Sequence, residues 1–168
     1  TSYLRSREQI STTEIIEKGE NESVEFKSTL RWNLYSDKKD KAIEKAALKT
    51  LSAFMNSNGG ILIIGINDEG EILGLSNDRF ENNDKLLLHL TSIIKKRIGA
   101  IFLQFLRFPI EPIMGKSVLR IDFSPSTIPA YLKDDNSEHL FIRNGSSRTD
   151  LRLRKVYDYV SERFHRNV

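Results

Sequence analysis

Hydrophobic and polar positions repeat along the chain with two periods, and the longer period marks the helices. From residue 38 to residue 57 apolar side chains recur every three or four positions, with lysines on much of the remaining face. This pattern predicts an amphipathic helix. Residues 84–98 repeat it and predict a second helix. Thr149 or Asp150 can cap a last helix that runs to about Phe164.

Shorter apolar stretches separated by turn residues predict strands between these helices. The predicted strands cover residues 23–27, 61–66, 71–75, 102–110, 116–123, 130–133 and 138–143. Residues 61–66 form a nearly continuous apolar run, which is typical of a strand covered on both faces. Hairpins with interspersed helices predict an α+β fold: a mixed, mostly antiparallel sheet packed by helices, in a single domain.

The beginning of the chain predicts a separate short element. Thr12 or Thr13 can cap a helical turn or two that Gly19 closes in a left-handed conformation. We therefore expect residues 1–18 to form an N-terminal helical extension and residues 19–168 to form the domain.

Composition excludes several classes of protein. The chain has 168 residues, 39% of them hydrophobic and 29% charged, so one globular core is expected. It has no cysteine, which excludes a disulfide framework and a cysteine zinc site and fits a cytoplasmic location. No apolar run approaches the roughly 18–20 residues that span a bilayer, so no membrane partner is expected. The formal charge of +3 permits a polyanionic partner without requiring one.

Nucleotide cofactors have no signature in the sequence. The glycine-rich run at residues 58–60 is followed by no Gly-Lys-Ser/Thr ending, and the dinucleotide fingerprint is also missing. The sequence therefore contains no ATP, NAD or zinc signature, and no cofactor is required by composition.

Four charged residues are candidates for catalysis. On a strand, Glu25 and Lys27 point to one face while Phe26 points to the other. With Glu20 and Asp68 nearby, they could hold Mg²⁺ or Mn²⁺ beside a phosphate, because hard cations prefer carboxylate oxygens. The alternative is an edge strand with a surface ion pair, and an aspartate that only favours its turn.

Basic residues gather in two stretches. Arginines flank a polar turn near residue 145 and continue onto the next helix, and lysines crowd the region that precedes residue 42. The candidate nucleic-acid contacts are Lys38, Lys39, Lys41, Arg143, Arg148, Arg152, Arg154 and Lys155. Such residues can contact phosphate oxygens, although a solubilising hairpin tip and a solvated lysine-rich helix face look the same in sequence.

Several strings together resemble a known family. They are VEFKSTLRWN, KTLSAFMNSNGGILIIGINDEGEILGL, IPAYLK and FIRNGSSRTDL, in that order. The chain resembles the Schlafen AlbA-like domain, bacterial type, from about Gly19 to Phe164. The resemblance implies an α+β fold with a mixed sheet, nucleic acid (DNA or RNA) as the partner, and a larger regulatory or defence protein as the parent.

The resemblance also supports a catalytic role for the carboxylates. In vertebrate Schlafen proteins two such lobes form a horseshoe that cleaves tRNA and ribosomal RNA with three carboxylates. Glu20 and Glu25 have the spacing of two of them, and Asp68 (or Asn67 in another alignment) corresponds to the third. The vertebrate zinc site needs cysteines that this chain lacks. One domain supplies half of the horseshoe, so the resemblance implies a homodimer.

Three functions remain open from the sequence. The first is a DNA-binding or, more generally, nucleic-acid-binding module that contacts phosphates without reading bases. The second is a metal-dependent endoribonuclease acting on structured RNA, with Glu20, Glu25 and Asp68 on the metal and Lys27 beside the phosphate. The third is a protein-interaction or assembly domain.

Overall fold

The computed structural model describes residues 10–165, and everything below refers to that part of the chain. Its helices are α1 (Thr12–Lys18), α2 (Lys41–Asn56), α3 (Asn83–Arg97) and α4 (Leu153–Phe164). Its strands are β1 (Val24–Lys27), β2 (Trp32–Asn33), β3 (Lys38–Lys39), β4 (Gly60–Ile64), β5 (Leu106–Arg107), β6 (Ile110–Ile113), β7 (Lys116–Phe123), β8 (Leu132–Lys133), β9 (Glu138–Asn144) and β10 (Ser147–Leu151). Two 3-10 helices span Ser76–Asp78 and Ala100–Phe105.

A five-stranded sheet forms the centre of the molecule. Its order is β1-β4-β7-β5, with β6 also paired to β7; β1 and β4 are parallel and the other pairs are antiparallel. All five residues of β4 are buried. Leu62 and Ile64 pack against α2 and α3, whereas Ile61 and Ile63 pack with Ile15 of α1. Alternate residues of a strand face opposite sides, so the continuous apolar run is covered on both faces, as predicted.

A second, three-stranded sheet of order β10-β9-β8 packs against α2. Asn56, which is fully buried, joins the two layers. Its amide nitrogen donates to the carbonyl oxygens of Ala130 and Phe141, each at 2.9 Å, and its oxygen accepts the N–H of Ala130 at 2.7 Å. A buried amide with these partners fixes how the sheet sits on the helix. The α+β class and the mixed, mostly antiparallel sheet are confirmed.

The helix predicted from residue 38 begins later. Lys38 and Lys39 form β3, which pairs with β2, and the helix starts at Lys41. Asp40 is the cap: its carboxylate accepts the N–H of Ala42 at 2.8 Å. The helical pattern could be extended back through Lys38 and Lys39 because polar residues fit an exposed strand as well as a helix face. The carboxylate of Asp40 caps the helix and so sets its first residue.

The largest error concerns the start of the last helix. Thr149 and Asp150, predicted as caps, lie in β10 opposite Ile142 and Phe141. The helix starts at Leu153. Because the residues of β10 are polar or half-exposed, the strand carries no apolar alternation that could separate it from a helix start.

Three smaller predictions were also wrong. Residues 102–105 belong to a 3-10 helix that buries Phe102 and Phe105, three positions apart, so a short apolar run was mistaken for a strand. Residues 71–75 form no strand, only a bridge between Ile66 and Ile72. Ser11, rather than Thr12 or Thr13, caps α1; Gly19 ends it with a φ of 79°.

The predicted extension at residues 1–18 is described only from residue 10 onward, and residues 166–168 of the predicted domain also lie outside the described part. Within residues 10–165 no helix is long and apolar enough to cross a membrane.

Candidate functional site

The four predicted catalytic residues line one open cleft of about 610 Å³. We call it the carboxylate cleft. Its walls are Glu20, Glu25, Phe26, Lys27, Asp68, Arg143, Ser146, Ser147 and Arg148. Parallel pairing brings the end of β1 beside the end of β4, from which the chain turns at residues 67–70. The β9–β10 hairpin supplies the opposite wall, so residues far apart in sequence meet here.

Glu25 lines the cleft, and both oxygens of its carboxylate have donors within the protein. Oε1 accepts the Thr50 hydroxyl at 3.0 Å and lies 3.1 Å from the Lys27 ammonium. Oε2 accepts from Nη1 of Arg143 at 2.5 Å. The Glu25 side chain is 15% exposed. Charge-assisted bonds of this kind offset the cost of removing a carboxylate from water.

The pKa of Glu25 follows from this environment. Burial alone would raise it, because a low-dielectric surrounding disfavours the ionised form. The charges of Lys27, Arg148 and Arg143, together with the Lys27 hydrogen bond, outweigh burial and hold the pKa of Glu25 below its ordinary value. Glu25 is therefore an ionised anchor in an ion-pair network.

Arg143 connects the second sheet to β1. Its side chain is 6% exposed, and its guanidinium lies 4.7 Å from the centre of the Phe54 ring. Besides Glu25, it donates to the carbonyl oxygens of Glu22 and Asn21, each at 3.2 Å. An arginine held in this way contributes packing and charge inside the fold, and few of its donors face solvent.

Arg148 is also engaged within the protein. Its Nη1 donates to the carbonyl oxygen of Ala46 at 2.6 Å and to the Thr50 hydroxyl at 3.0 Å. Through Thr50 it completes the chain of contacts that leads to Glu25. Arg143 and Arg148, two of the four arginines predicted to meet phosphates, thus fasten the β9–β10 hairpin onto β1 and α2.

Glu20 and Asp68 lie at the rim of the cleft and are exposed. Oε1 of Glu20 accepts the Phe26 N–H at 2.7 Å, so this side chain occupies part of the free edge of β1. Asp68 lies in the turn after β4 and has no hydrogen bond or ion pair among residues 10–165.

The carboxylates as arranged do not fit a metal ion. Within residues 10–165 no three side chains of the metal-binding types stand close enough to hold one. Both oxygens of Glu25 already accept from protein donors. The cleft brings the predicted metal ligands to one surface without forming a coordination shell, and the metal stays a prediction from the sequence.

A second depression, of about 420 Å³, lies between the start of α2, the end of α3 and the loop after β8. We call it the basic groove. It is lined by Lys41, Glu44, Lys45, Ile93, Lys96, Arg97, Lys133, Asp134 and Asp135. Five cationic side chains therefore face three carboxylates. Of these cations only Lys41 was among the predicted contacts. Lys45 follows it on α2, whereas Lys96, Arg97 and Lys133 come from segments distant in sequence.

Only part of the charge in the basic groove is neutralised. Lys45 forms an ion pair with Asp134, whose carboxylate also lies 3.8 Å from Arg97. The remaining three lysines of the groove have no ion-pair partner among the described residues. They are Lys41, Lys96 and Lys133, and all three are exposed.

The other predicted contacts are exposed outside both depressions. Lys38 and Lys39 lie on β3, immediately before the basic groove begins at Lys41. Arg152, Arg154 and Lys155 lie at the start of α4. These five side chains point to solvent and form no ion pair within residues 10–165.

His139 lies between a serine and an aspartate in an arrangement that the sequence did not reveal. Its Nε2 lies 2.8 Å from the Ser137 hydroxyl and its Nδ1 lies 2.9 Å from the Asp150 carboxylate. The order of groups resembles a nucleophile, a base and an orienting acid. None of the clefts described above includes these residues, and Ser137 stands in the exposed β8–β9 turn. The contacts of His139 link β9 to β10 and to the turn before β9.

Solved structures match most of this chain, and the first of them shows a similar fold. The DIP2311 protein from Corynebacterium diphtheriae matches 92% of this chain with a TM-score of 0.58 and 21% identity. The chain spans 28% of the length of that protein. The N-terminal domain of a RecG-related protein from Nitrosomonas europaea matches 91% of this chain and 92% of its own length, with a TM-score of 0.47 and 23% identity.

Comparisons of sequence give the family. No curated protein matches the chain. The model of the family described as Schlafen, AlbA_2 matches residues 20–152, which includes the strings quoted above and both depressions. The chain belongs to the Schlafen, AlbA_2 family.

Proposed function

We propose that this domain binds nucleic acid through phosphate contacts in the basic groove. The proposal rests on one observation: Lys41, Lys96 and Lys133, from three separate segments, converge on one groove and have no ion-pair partner among residues 10–165. Neighbouring unpaired cations repel one another, and a polyanion relieves that repulsion while releasing its own counterions.

Two further sets of cations support an extended footprint. Lys38 and Lys39 lie exposed on β3, shortly before Lys41 of the groove. Arg152, Arg154 and Lys155 form a separate exposed group on α4 that could contact the same polyanion if it is long or bent. Lysines and arginines that contact only phosphates position a nucleic acid without reading its sequence. We therefore expect affinity that falls steeply with salt and depends little on sequence.

A gel-shift experiment with total tRNA and with duplex DNA tests the proposal. Wild-type protein is expected to shift at least one of them. The double variant Lys41→Ala/Lys96→Ala should bind more weakly, because each substitution removes about one phosphate contact. Lys18→Ala/Lys85→Ala, which removes the same charge from exposed positions outside the groove, should bind like wild type. Equal weakening in both variants would contradict a groove-specific interface.

A metal-dependent endoribonuclease is the second candidate, favoured by the convergence of Glu20, Glu25, Lys27 and Asp68 on one cleft. The carboxylates do not form a metal shell as arranged, so we derive no catalytic step from them. Incubation of tRNA with Mn²⁺ or with EDTA, followed by a denaturing gel, separates the two functions. RNA fragments that require Mn²⁺ and vanish in Asp68→Asn would make the domain a nuclease. Asp68 is suited to this test because it is exposed and its replacement leaves the Glu25 contacts in place.

An assembly domain would bind neither tRNA nor DNA, and that outcome would replace the proposal. The homodimer also stays a prediction. Sedimentation of the protein with and without nucleic acid tests it, and a strict monomer in both would remove it.

A further inference from the structure

The β2–β3 hairpin presents apolar side chains to solvent at its tip. Tyr35 has a relative exposure of 101% and Leu34 one of 47%. A fully exposed tyrosine ring makes no contribution to the core, yet both of its faces are open to a planar partner. Exposed apolar groups on a protruding loop often mark a contact surface.

The tip is held in one shape by its own hydrogen bonds. The side-chain oxygen of Asn33 accepts the N–H groups of Tyr35 and Ser36, at 3.0 and 3.1 Å. The amide nitrogen of Asn33 donates to Asp40 at 2.9 Å. The indole N–H of Trp32 donates to Asp37 at 3.0 Å. A tip ordered before binding loses little conformational entropy on contact with a ligand.

The base of the hairpin is attached to the body of the domain by Asp78. This buried carboxylate accepts the backbone N–H groups of Leu30, Arg31 and Trp32 at 2.8, 2.7 and 3.2 Å. Three such bonds hold the chain where it enters β2. The hairpin therefore projects in a defined direction.

Arg79 supports the hairpin from the side. Its guanidinium lies 4.1 Å from the centre of the Trp32 ring, and its Nη2 donates to Asp37 at 2.7 Å. This pair also neutralises the carboxylate at the tip, so that Asp37 does not oppose an approaching phosphate. Lys38 and Lys39 follow directly on β3 and are exposed, and Lys41 carries the positive surface into the basic groove.

An aromatic ring beside a row of cations is the arrangement that binds single-stranded nucleic acid, because rings stack on unpaired bases while cations follow the backbone. We propose that Tyr35 stacks on an unpaired base of a nucleic acid whose backbone passes Lys38 and Lys39 into the basic groove. This inference rests on the proposed function and adds a substrate class: strands or loops with unpaired bases. Bases inside a duplex are already stacked on their neighbours and offer no face to the ring.

Binding of a labelled single-stranded oligonucleotide and of the duplex of the same sequence tests the inference. Tyr35→Ala should weaken single-strand binding about fivefold or more and leave duplex binding unchanged. Tyr35→Phe keeps the ring and should retain single-strand affinity. Met114→Ala removes another exposed apolar side chain (relative exposure 89%), in the turn between β6 and β7 and outside the proposed footprint, and is the control expected to have no effect. Because the Tyr35 side chain is fully exposed, its replacement leaves the fold intact.

Trp32, the only tryptophan of the chain, is a built-in reporter of the hairpin. Its fluorescence should change when the single strand binds, and this change should be smaller for the duplex. If no nucleic acid binds to wild type, the proposed function fails. If nucleic acid binds but Tyr35→Ala retains full affinity and Trp32 fluorescence is constant, only the present inference is overturned. Equal weakening of single-strand and duplex binding by Tyr35→Ala would also overturn it.

Discussion

Glu25 in the carboxylate cleft and the exposed lysines of the basic groove use their charges in opposite ways. In the cleft, Glu25 is 15% exposed and both of its oxygens accept from protein donors. In the groove, Lys41, Lys96 and Lys133 are exposed and have no ion-pair partner among the described residues. Charges that are paired and shielded stabilise the fold, whereas charges left unpaired at a surface are available to a ligand.

The difference shows why charge in a sequence is a poor guide to its use. Arg143 and Arg148 looked like phosphate contacts, and the structure engages them with Glu25 and α2. Lys133 was not among the predicted contacts, yet it lies in the basic groove. Partners that are distant in sequence decide between the two roles.

The largest effect is expected on the free energy of unfolding when the ion-pair network around Glu25 is broken. Arg143→Ala removes a cation that is 6% exposed and leaves Glu25 with fewer donors in a shielded site. Breaking a buried ion pair from one side costs about 3 kcal/mol of unfolding free energy. Urea denaturation of the variant and of wild type measures it.

The control for Arg143→Ala is Arg152→Ala, an exposed arginine in the same region of sequence. Surface substitutions change stability by about 0.5 kcal/mol or less. Equal stability of the two variants would mean that Arg143 is not part of a structural network, and the contrast between cleft and groove would disappear.

A smaller effect is expected from pH. The pKa of Glu25 in the folded protein lies below its ordinary value of 4.5, so the ionised form is favoured by folding. This contribution to stability is fully present above the unfolded pKa and is lost as the pH falls through the folded pKa.

Glu25→Gln removes the ionisable group and keeps the shape. The variant should be less stable than wild type at about pH 7, and the gap should narrow as the pH falls below about 4.5. Urea titrations at several pH values follow that gap. A gap of constant size across this range would show that the charge of Glu25 does not contribute.

The smallest effect concerns the one lysine of the groove that is paired. Lys45 and Asp134 form an ion pair whose side chains are 34% and 30% exposed. A pair that is this accessible to solvent contributes little, because water and salt screen it. Lys45→Ala should therefore leave the urea midpoint unchanged within error, and a clear loss would show that groove cations are structural as well.

Sequence predicted the parts of the fold that depend on local pattern. The apolar run of β4 is buried on both faces because no polar residue interrupts it, and α2 and α3 agree with their helical spacing apart from their ends. β10 was missed because a half-exposed polar strand has no periodic signal. Its position is set by pairing with β9, which depends on tertiary structure.

The sequence named residues that line the carboxylate cleft, but it did not predict how they contact one another. Strand pattern and carboxylate chemistry selected Glu20, Glu25, Lys27 and Asp68, the resemblance to the family supported the three carboxylates, and all four line one cleft. The contact between Arg143 and Glu25 joins residues 118 positions apart, which no local pattern can reveal. The basic groove likewise assembles from three segments.

The salt dependence of nucleic-acid binding tests the central claim most directly. The logarithm of the association constant is measured against the logarithm of salt concentration for wild type, Lys41→Ala/Lys96→Ala and Lys18→Ala/Lys85→Ala. Our account predicts a steep slope for wild type, a slope smaller by about 2 for the groove variant, and the wild-type slope for the control. A groove variant with the wild-type slope and affinity would contradict binding through the basic groove.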